Sequence, residues 1–318
     1  MGQAQIKIIK QGQRSRHGVV LYATVRNEAY FVPHFLAHYR RLGVSEFCFL
    51  DDYSNDGTAD LLSQESDVTV LRSNLRYGDM YGKLRFGTQS RTLVPRHLYS
   101  GRWVLTADMD EFLELPPPYQ DLNRLTAALS AANLRCARAI MVDHYPNHLK
   151  DVSDASVNDF PLQVAPNRDG FPVLDWPAGQ SAPLRIDMSQ TVRKRMFQWI
   201  FEHVAEARRL LPGYKSASLN KVPLIRWDST VEMLSAHRVN IPVGDEVQLV
   251  LRHFKFYPGW LKKVTDAIET KAYWNGSIEY EMLNLCWQHL RELDLRELGS
   301  SRALESGVLP AALLYSKV

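Results

Sequence analysis

Three carboxylates stand within four positions at the end of an apolar segment in WVLTADMDEFLEL (residues 103–115): Asp108, Asp110 and Glu111. Acids this close repel one another, and a divalent cation offsets the repulsion because Mg²⁺ and Mn²⁺ prefer oxygen ligands. On an extended backbone, Asp108 and Asp110 would point to the same side and form a seat for such an ion. Magnesium held this way usually completes its shell with water and phosphate oxygens, which indicates a nucleoside diphosphate. The alternative is a solvated turn, or a cap for a helix that begins at Glu111.

A second polar cluster, TVRNEA (residues 24–29), follows the apolar segment GVVLYATV. Arg26 and Asn27 carry groups that can contact a phosphate or a base, and Glu28 could reach a ribose. A capping role for Asn27 and Glu28 at the start of the next helix is an equal alternative.

A third polar cluster is DDYSNDGT (residues 51–58). Its later residues have the composition of a strand-to-helix turn, with a capping acid and a glycine. That turn does not account for two adjacent acids at the end of a strand. We therefore expect Asp51 or Asp52 to accept hydrogen bonds from a nucleotide base or ribose.

The elements that must position these clusters alternate between strand and helix. Apolar, β-rich segments recur in the first half of the chain, separated by helix-like segments, at residues 18–25, 46–52, 68–71 and 102–108. We therefore predict an α/β fold with a mostly parallel central sheet flanked by helices. Ligands of such sheets bind beyond the carboxyl ends of the strands, and all three polar clusters lie there.

The second half of the chain is less regular. Residues 146–190 are rich in Pro, Asp and Gly and predict long loops, and two further strands are predicted at 221–227 and 247–256. After Pro258 the apolar spacing is helical. We expect an N-terminal extension (1–17), one catalytic domain (18–257) and a C-terminal helical extension packed on it (258–318).

Composition names no macromolecular partner. The net charge is +3, 45% of the residues are hydrophobic, and no long basic segment indicates nucleic acid. Three widely spaced cysteines predict buried free thiols in a reducing compartment. No segment has the length of a signal peptide core or of a membrane span, so a cytoplasmic protein is expected. The amphipathic helices after Tyr280 leave contact with the inner membrane face open, although packing on the domain explains them better.

Taken together, the motifs resemble a known family. The set VRNEAYFVPHFLAHYRRLGV, FLDDYSNDGT and WVLTADMDEFL resembles the GT-A glycosyltransferases of family 2, specifically the bacterial branch with an Asp-x-Asp-Glu-Phe core. KVPLIRW, SAHRV, LRHFKFYPGWLKKV and YWNGSIEYEML resemble its later segments. The resemblance runs from about Gly18 to Leu283 and is weakest over residues 146–190.

The resemblance implies a GT-A fold and a donor site. Asp108 and Asp110 would hold Mn²⁺ or Mg²⁺ on the diphosphate, with a histidine from late in the chain as third ligand. His253 is the first choice and His237 the second, and Lys255 would also meet the diphosphate. Asp51 or Asp52, together with Glu28, would bind the nucleoside.

Family members usually invert the anomeric carbon, which requires a general base near the acceptor hydroxyl. Asp143 is the first candidate because it interrupts the apolar segment AIMVDHYP, although a structural salt bridge is equally open. Glu111 and Asp187 are the other candidates. The basic triplet at residues 193–195 is expected to form a solvated turn rather than a phosphate contact.

The implied activity is transfer of a sugar from a nucleotide-diphosphate donor to a hydroxyl of a carbohydrate or glycolipid acceptor, in surface polysaccharide or glycoconjugate synthesis. A sugar-1-phosphate nucleotidyltransferase is a weaker alternative, because TVRNEAYF lacks the glycine-rich loop that would hold a triphosphate. A non-catalytic binding module with this fold is the third possibility. The presence of both Asp108 and Asp110 argues against it.

Overall fold

The computed structural model describes residues 4–187, 191–210 and 218–298. Its strands are β1 Ile6–Lys10, β2 Val19–Val25, β3 Val44–Asp51, β4 Val68–Ser73, β5 Met80–Tyr81, β6 Leu84–Arg85, β7 Trp103–Thr106, β8 Glu111–Glu114, β9 Cys136–Tyr145, β10 Asn167–Arg168, β11 Val173–Asp175, β12 Arg185–Asp187, β13 Asn220–Arg226, β14 Met233–Ser235, β15 Arg238–Val239 and β16 Gln248–Phe254. Its helices are α1 Phe31–Arg41, α2 Thr58–Gln64, α3 Phe86–Leu98, α4 Leu122–Ala131, α5 Asp151–Asp154, α6 Pro161–Val164, α7 Val192–His203, α8 Ala205–Leu210, α9 Trp260–Thr270 and α10 Trp274–Leu290, followed by a 3₁₀ turn at Leu295–Glu297.

One large sheet organises these elements. Its strand order is β1-β4-β3-β2-β7-β13-β9-β16-β8, with β10 added beside β9. The four strands β4, β3, β2 and β7 are mutually parallel, and β16 is parallel to β9. Strands β13 and β8 run antiparallel to their neighbours. The parallel region β4-β3-β2-β7 thus comes from the first half of the chain, and the sheet continues beyond it with antiparallel pairs and the parallel pair of β16 and β9.

Both faces of the sheet are covered. In β2, Leu21 and Ala23 belong to one hydrophobic core, whereas Val20 and Tyr22 belong to another on the opposite face. The first core includes apolar residues of α1, α4, α9 and α10, and the second includes residues of α3. Burial on both faces explains why the strand is a continuous apolar segment rather than an alternating one.

The predicted α/β class, with a sheet flanked by helices, is therefore confirmed. The predicted strands lie within a few residues of their predicted bounds, and helices α9 and α10 follow Pro258. The predicted long loops at 146–190 contain two short helices and three short strands, and residues 188–190 lie outside the described residues. The domain boundaries remain a prediction, and the proposed extensions reach residues 1–3 and 299–318, which also lie outside the described part. Within that part, no helix has the length and apolarity needed to cross a membrane.

Candidate active site

A cleft of about 790 Å³ opens at the carboxyl ends of β2, β3 and β7. Because these strands are parallel and adjacent, their carboxyl ends meet at one edge of the sheet. The volume lies in the range of small-ligand sites. Its lining includes most of the sequence-predicted residues: Arg26, Asn27, Glu28, Asp52, Asp108, Asp110, Glu111, His237, His253 and Lys255.

The loops after β2 and β3 are bonded to each other. The backbone N–H of Asn27 donates to Ser54 Oγ (3.0 Å), and the backbone N–H of Asn55 donates to Asn27 Oδ1 (2.9 Å). Asn27 adopts a left-handed backbone with φ of 56°. Helix α1 begins after Tyr30, so Asn27 joins two loops instead of capping the helix. This connection holds Arg26 and Glu28 at the rim of the cleft.

The two adjacent acids at the end of β3 have different environments. Asp51 is buried, and its Oδ2 accepts hydrogen bonds from Arg72 Nη2 (2.6 Å) and Nε (3.2 Å), outside the cleft lining. Asp52 lines the cleft and accepts a hydrogen bond from the backbone N–H of Tyr77 (3.2 Å). Burial raises the pKa of Asp52. Of the two candidates, only Asp52 is placed to meet a ligand.

Asp108 and Asp110 lie in a turn between β7 and β8 rather than on an extended backbone. The turn is closed by the backbone N–H of Glu111, which donates to Asp108 O (3.0 Å). The premise that an extended segment points both acids to one side is therefore wrong. Strand β8 begins at Glu111, so the alternative of a helix cap there is wrong as well. Both acids still face the cleft, but each has its own set of neighbours.

Asp108, which is partly exposed, contacts two buried cations. Its Oδ1 contacts Arg91 Nη2, and its Oδ2 lies 2.7 Å from Lys221 Nζ. Lys221 Nζ also lies 2.5 Å from Glu111 Oε1, and Glu111 Oε2 accepts a hydrogen bond from the backbone N–H of Asp108 (3.0 Å). Burial raises the pKa of Asp108, but Arg91 and Lys221 outweigh it and hold that pKa well below its usual range. Asp108 is therefore an ionised acid whose two oxygens are both engaged.

Asp110 faces a histidine. Its Oδ2 lies 3.4 Å from His253 Nε2, and His253 Nδ1 lies 2.6 Å from Asp143 Oδ1. Burial lowers the pKa of His253, but the two acids prevail and raise it to about 9. In the absence of another cation, the imidazole is therefore protonated between Asp110 and Asp143.

Asp143 and Arg193 lie behind His253. Arg193 Nε is 2.9 Å from Asp143 Oδ2, and Arg193 Nη1 is 2.7 Å from Glu279 Oε1. Lys255 Nζ lies 3.6 Å from the same Glu279 oxygen. Arg193 is buried in the first turn of α7, so the expected solvated turn is wrong for this residue. Asp143 does not line the cleft, so it is not placed to take a proton from an acceptor.

Glu28 forms an ion pair with a lysine of helix α9. Lys263 Nζ of α9 lies 2.5 Å from Glu28 Oε1, whereas Glu28 Oε2 is buried with no hydrogen-bond partner. Burial raises the pKa of Glu28 to about 7, although Lys263 opposes the shift. An unpartnered carboxylate oxygen in the cleft wall needs a donor, which a bound ligand could supply.

His237 was the second choice of metal ligand and Asp187 a further candidate base, and neither is placed for that role. His237 Nδ1 lies 2.7 Å from Asn220 O, and burial lowers the pKa of His237 to about 4. Asp187 is exposed on β12 and is absent from the cleft lining. The aromatic lining is formed by tyrosines: Tyr30, Tyr77, Tyr257, Tyr273 and Tyr280.

Tyr77 fits its place because the residue beside it is a glycine. Gly87, in the first turn of α3, donates its backbone N–H to Tyr77 O (3.0 Å). A Cβ atom at position 87 would lie 2.2 Å from the Tyr77 ring. The ring therefore packs directly against the helix backbone, at the side of the cleft.

Several charged residues of the cleft were missed in the sequence, among them Arg91, Lys221, Lys263 and Glu279. A lysine that begins the apolar strand KVPLIRW was the one usable signal, because a buried lysine requires an acidic partner. Arg91, Lys263 and Glu279 lie on helices whose polar positions look like ordinary solvent-facing ones. Their burial depends on contacts between distant segments.

Within the described residues, no group of three or more His, Cys, Asp or Glu side chains is arranged to hold a metal ion. Asp110 Oδ2 and His253 Nε2 nevertheless form a pair that fits one. Their 3.4 Å separation is long for a hydrogen bond, whereas two adjacent ligands of an octahedral ion at 2.0–2.1 Å lie roughly 3 Å apart.

No protein-family model matches the chain, and no curated protein does. Among solved structures, the mannosyltransferase PcManGT from Pyrobaculum calidifontis, in complex with GDP-Man and Mn²⁺, is similar at 15% identity and a TM-score of 0.29. That match covers 42% of this chain and 36% of the mannosyltransferase, so the chain spans about a third of that protein's length.

Two other solved structures match at a similar level. A UDP-glucose pyrophosphorylase complexed with UDP-glucose is 9% identical, with 42% of this chain and 59% of that chain covered and a TM-score of 0.25. A 4-diphosphocytidyl-2C-methyl-D-erythritol synthase is 13% identical, with 54% and 68% covered and a TM-score of 0.26. These proteins are transferases and nucleotidyltransferases. At such TM-scores the fold assignment rests on the strand order described above.

Proposed function

We propose that the chain is a metal-dependent glycosyltransferase with a GT-A fold, similar to family 2. It transfers a sugar from a nucleotide-diphosphate donor to a hydroxyl of a carbohydrate or glycolipid acceptor, with inversion, in surface polysaccharide or glycoconjugate synthesis. One observation carries the proposal: Asp110 Oδ2 and His253 Nε2 lie 3.4 Å apart in a cleft at the carboxyl ends of three parallel strands. The motif resemblance supplies the reaction class.

Asp110 and His253 are the proposed ligands of Mn²⁺ or Mg²⁺. His253 would bind through a neutral Nε2 while its Nδ1–H donates to Asp143. Asp108 would join them only by exchanging Arg91 or Lys221 for the ion, because both of its oxygens are engaged. When bound, the ion would neutralise the charge that develops on the diphosphate leaving group.

The nucleoside is proposed to lie along the loops after β2 and β3. Glu28 Oε2, which has no hydrogen-bond partner, would accept from a ribose hydroxyl. Asp52, Arg26 and Asn27 line the same part of the cleft and would contact the base or a phosphate. Asp51 leaves the proposed set because Arg72 engages it outside the cleft.

Lys255 and Lys263 would meet the diphosphate from the opposite side. Both line the cleft, and both contribute to the low pKa of Asp110. Their ammonium groups are paired with Glu279 and Glu28, respectively. A diphosphate that enters the cleft would offer these lysines additional oxygen partners.

Glu111 remains a weak candidate for the general base. It lines the cleft, but its Oε1 contacts Lys221 and its Oε2 accepts the backbone N–H of Asp108. A base must offer a free oxygen to the acceptor hydroxyl. We therefore propose that Glu111 orients Lys221 and the turn that carries Asp110.

A thermal-shift experiment tests the function. UDP, GDP or dTDP should raise the melting temperature only with Mn²⁺ or Mg²⁺ present, because a ligand that binds the native state stabilises it. Asp110→Ala should abolish that shift and lower transferase activity by 100-fold or more. This loss is on the order of the 3 kcal/mol expected for removing a group that stabilises the transition state.

The control variant is Asp228→Asn, an exposed acid far from the cleft lining that pairs with Arg135. It should keep the metal-dependent shift. A shift retained by Asp110→Ala would refute the proposed metal site. Tight nucleotide binding by the wild-type protein without any metal would instead favour a binding module.

A further inference from the structure

Strands β9 and β16 place an acid directly behind the proposed metal-binding histidine. The two strands are parallel, and Asp143 and His253 are partners in the register. Their side chains meet on one face, where His253 Nδ1 lies 2.6 Å from Asp143 Oδ1. Pairing between two strands far apart in sequence therefore fixes this contact.

The second carboxylate oxygen of Asp143, Oδ2, lies against an arginine. Arg193 Nε lies 2.9 Å from Asp143 Oδ2, and the Arg193 guanidinium is anchored by Glu279 of α10. The Asp143 side chain is buried and lies outside the cleft lining. The carboxylate thus contacts His253 on one side and Arg193 on the other, and it does not face a substrate in the cleft.

We infer that Asp143 is a positioning residue: it fixes the ring of His253 so that Nε2 faces Asp110. The inference deepens the proposed function and rests on it for the identity of the ion. Rotation about the Cβ–Cγ bond of histidine is only weakly restricted, so a ring without a partner for Nδ1 can flip and can change tautomer. A carboxylate that accepts from Nδ1–H removes both freedoms and leaves a lone pair on Nε2 for a metal.

A purely structural ion pair would hold the same residues together without affecting metal binding. Asp169 offers a matched control, because it is a second buried acid near Asp143 and outside the cleft. Its Oδ1 accepts the backbone N–H of Val192 at the start of α7 (2.9 Å). Replacing either acid by asparagine keeps the size of the side chain, but only Asp143→Asn removes the carboxylate behind His253.

Manganese titration followed by electron paramagnetic resonance, with GDP or UDP present, compares the variants without measuring turnover. Asp143→Asn should bind Mn²⁺ 10- to 100-fold more weakly than the wild type, as expected for loss of a carboxylate behind a metal-binding histidine. Asp169→Asn should stay within twofold. Equal Mn²⁺ affinity of Asp143→Asn and the wild type would overturn the inference while leaving the proposed function intact. A wild-type protein that binds no Mn²⁺ would overturn both.

A second readout does not involve the metal. In ¹⁵N-histidine-labelled protein, the Nδ1–H resonance of His253 should be shifted downfield by its short hydrogen bond, and Asp143→Asn should remove that shift. If Asp143→Asn fails to fold, Asp143→Glu keeps the charge but displaces the carboxylate by one methylene group. It should also weaken Mn²⁺ binding, and an unchanged Mn²⁺ affinity would count against a positioning role.

Discussion

Two charged clusters in this protein each place one cation between two acids, one at the surface and one in the cleft. At the surface, Arg40 Nη2 of α1 lies 2.7 Å from Glu65 Oε2 and 2.6 Å from Asp67 Oδ1. In the cleft, Lys221 Nζ lies between Asp108 and Glu111 at similar distances. The Arg40 side chain is 37% exposed and that of Lys221 only 4%. Placing one cation between two acids therefore costs little desolvation free energy at the surface and much more in the cleft.

The difference lies in desolvation. Water stabilises each charge of the surface cluster almost as well as its partners do, so such pairs contribute little to folding. In the cleft, Lys221 and Glu111 have lost their water, and only their pairing with each other and with Asp108 compensates for that loss. A buried cluster of this kind rarely improves stability over apolar side chains. Its presence at the end of β7 supports a role in binding.

Removing the buried cation should have the largest effect on stability. Lys221→Met leaves Glu111 without its cation and Asp108 with Arg91 alone. We expect it to destabilise the fold by about 3–5 kcal/mol, the usual cost of breaking a buried ion pair on one side. Urea unfolding followed by circular dichroism measures the difference.

Lys262→Met serves as its control, because Lys262 is an exposed lysine that pairs with Asp266 one helical turn away. It should change stability by well under 1 kcal/mol. If Lys221→Met were no more destabilising than Lys262→Met, burial would not distinguish the two clusters.

A buried acid with an unpaired oxygen should have an intermediate, pH-dependent effect. Burial raises the pKa of Asp169 to about 8, and its Oδ2 has no hydrogen-bond partner. Between about pH 4 and pH 8 the folded state keeps a proton that the unfolded state has lost, so stability falls as the pH rises. Asp169→Asn should remove this fall and be more stable than the wild type at pH 8.5, by on the order of a few kcal/mol. Thermal unfolding from pH 4 to pH 8.5 measures it, and a gap that widens toward pH 4 would contradict it.

Removing the surface cation should have the smallest effect. Arg40→Ala breaks three hydrogen bonds to Glu65 and Asp67, yet we expect a loss of about 1 kcal/mol or less, and less still at high salt. Urea unfolding at two salt concentrations measures both numbers. A loss comparable to that of Lys221→Met would show that geometry, rather than burial, sets the value of these clusters.

The acids of the site were predictable because their signals are local. Glu28, Asp52 and Asp110 each come within four residues of the end of an apolar strand, and parallel strands bring their carboxyl ends together. The conformation of the Asp108–Asp110 segment was not predictable, because a hydrogen bond from Glu111, formed only in the folded turn, decides it.

The cations were harder to predict because their positions depend on long-range pairing. Lys221 reaches Asp108, 113 residues earlier, through the antiparallel pairing of β13 with β7. His253 reaches Asp143 only through the register of β16 with β9. One sequence alone does not reveal these registers, so Asp143 looked like a candidate base instead of the partner of a histidine.

The contact between Tyr77 and Gly87 has a consequence for evolution and for engineering. A single methyl group at position 87 would lie 2.2 Å from the tyrosine ring, so the ring or the first turn of α3 would have to shift at the side of the cleft. The width of the cleft beside Tyr77 thus depends on the lack of a Cβ atom at position 87. Substitutions at this one site would therefore reshape the side of the cleft through Tyr77.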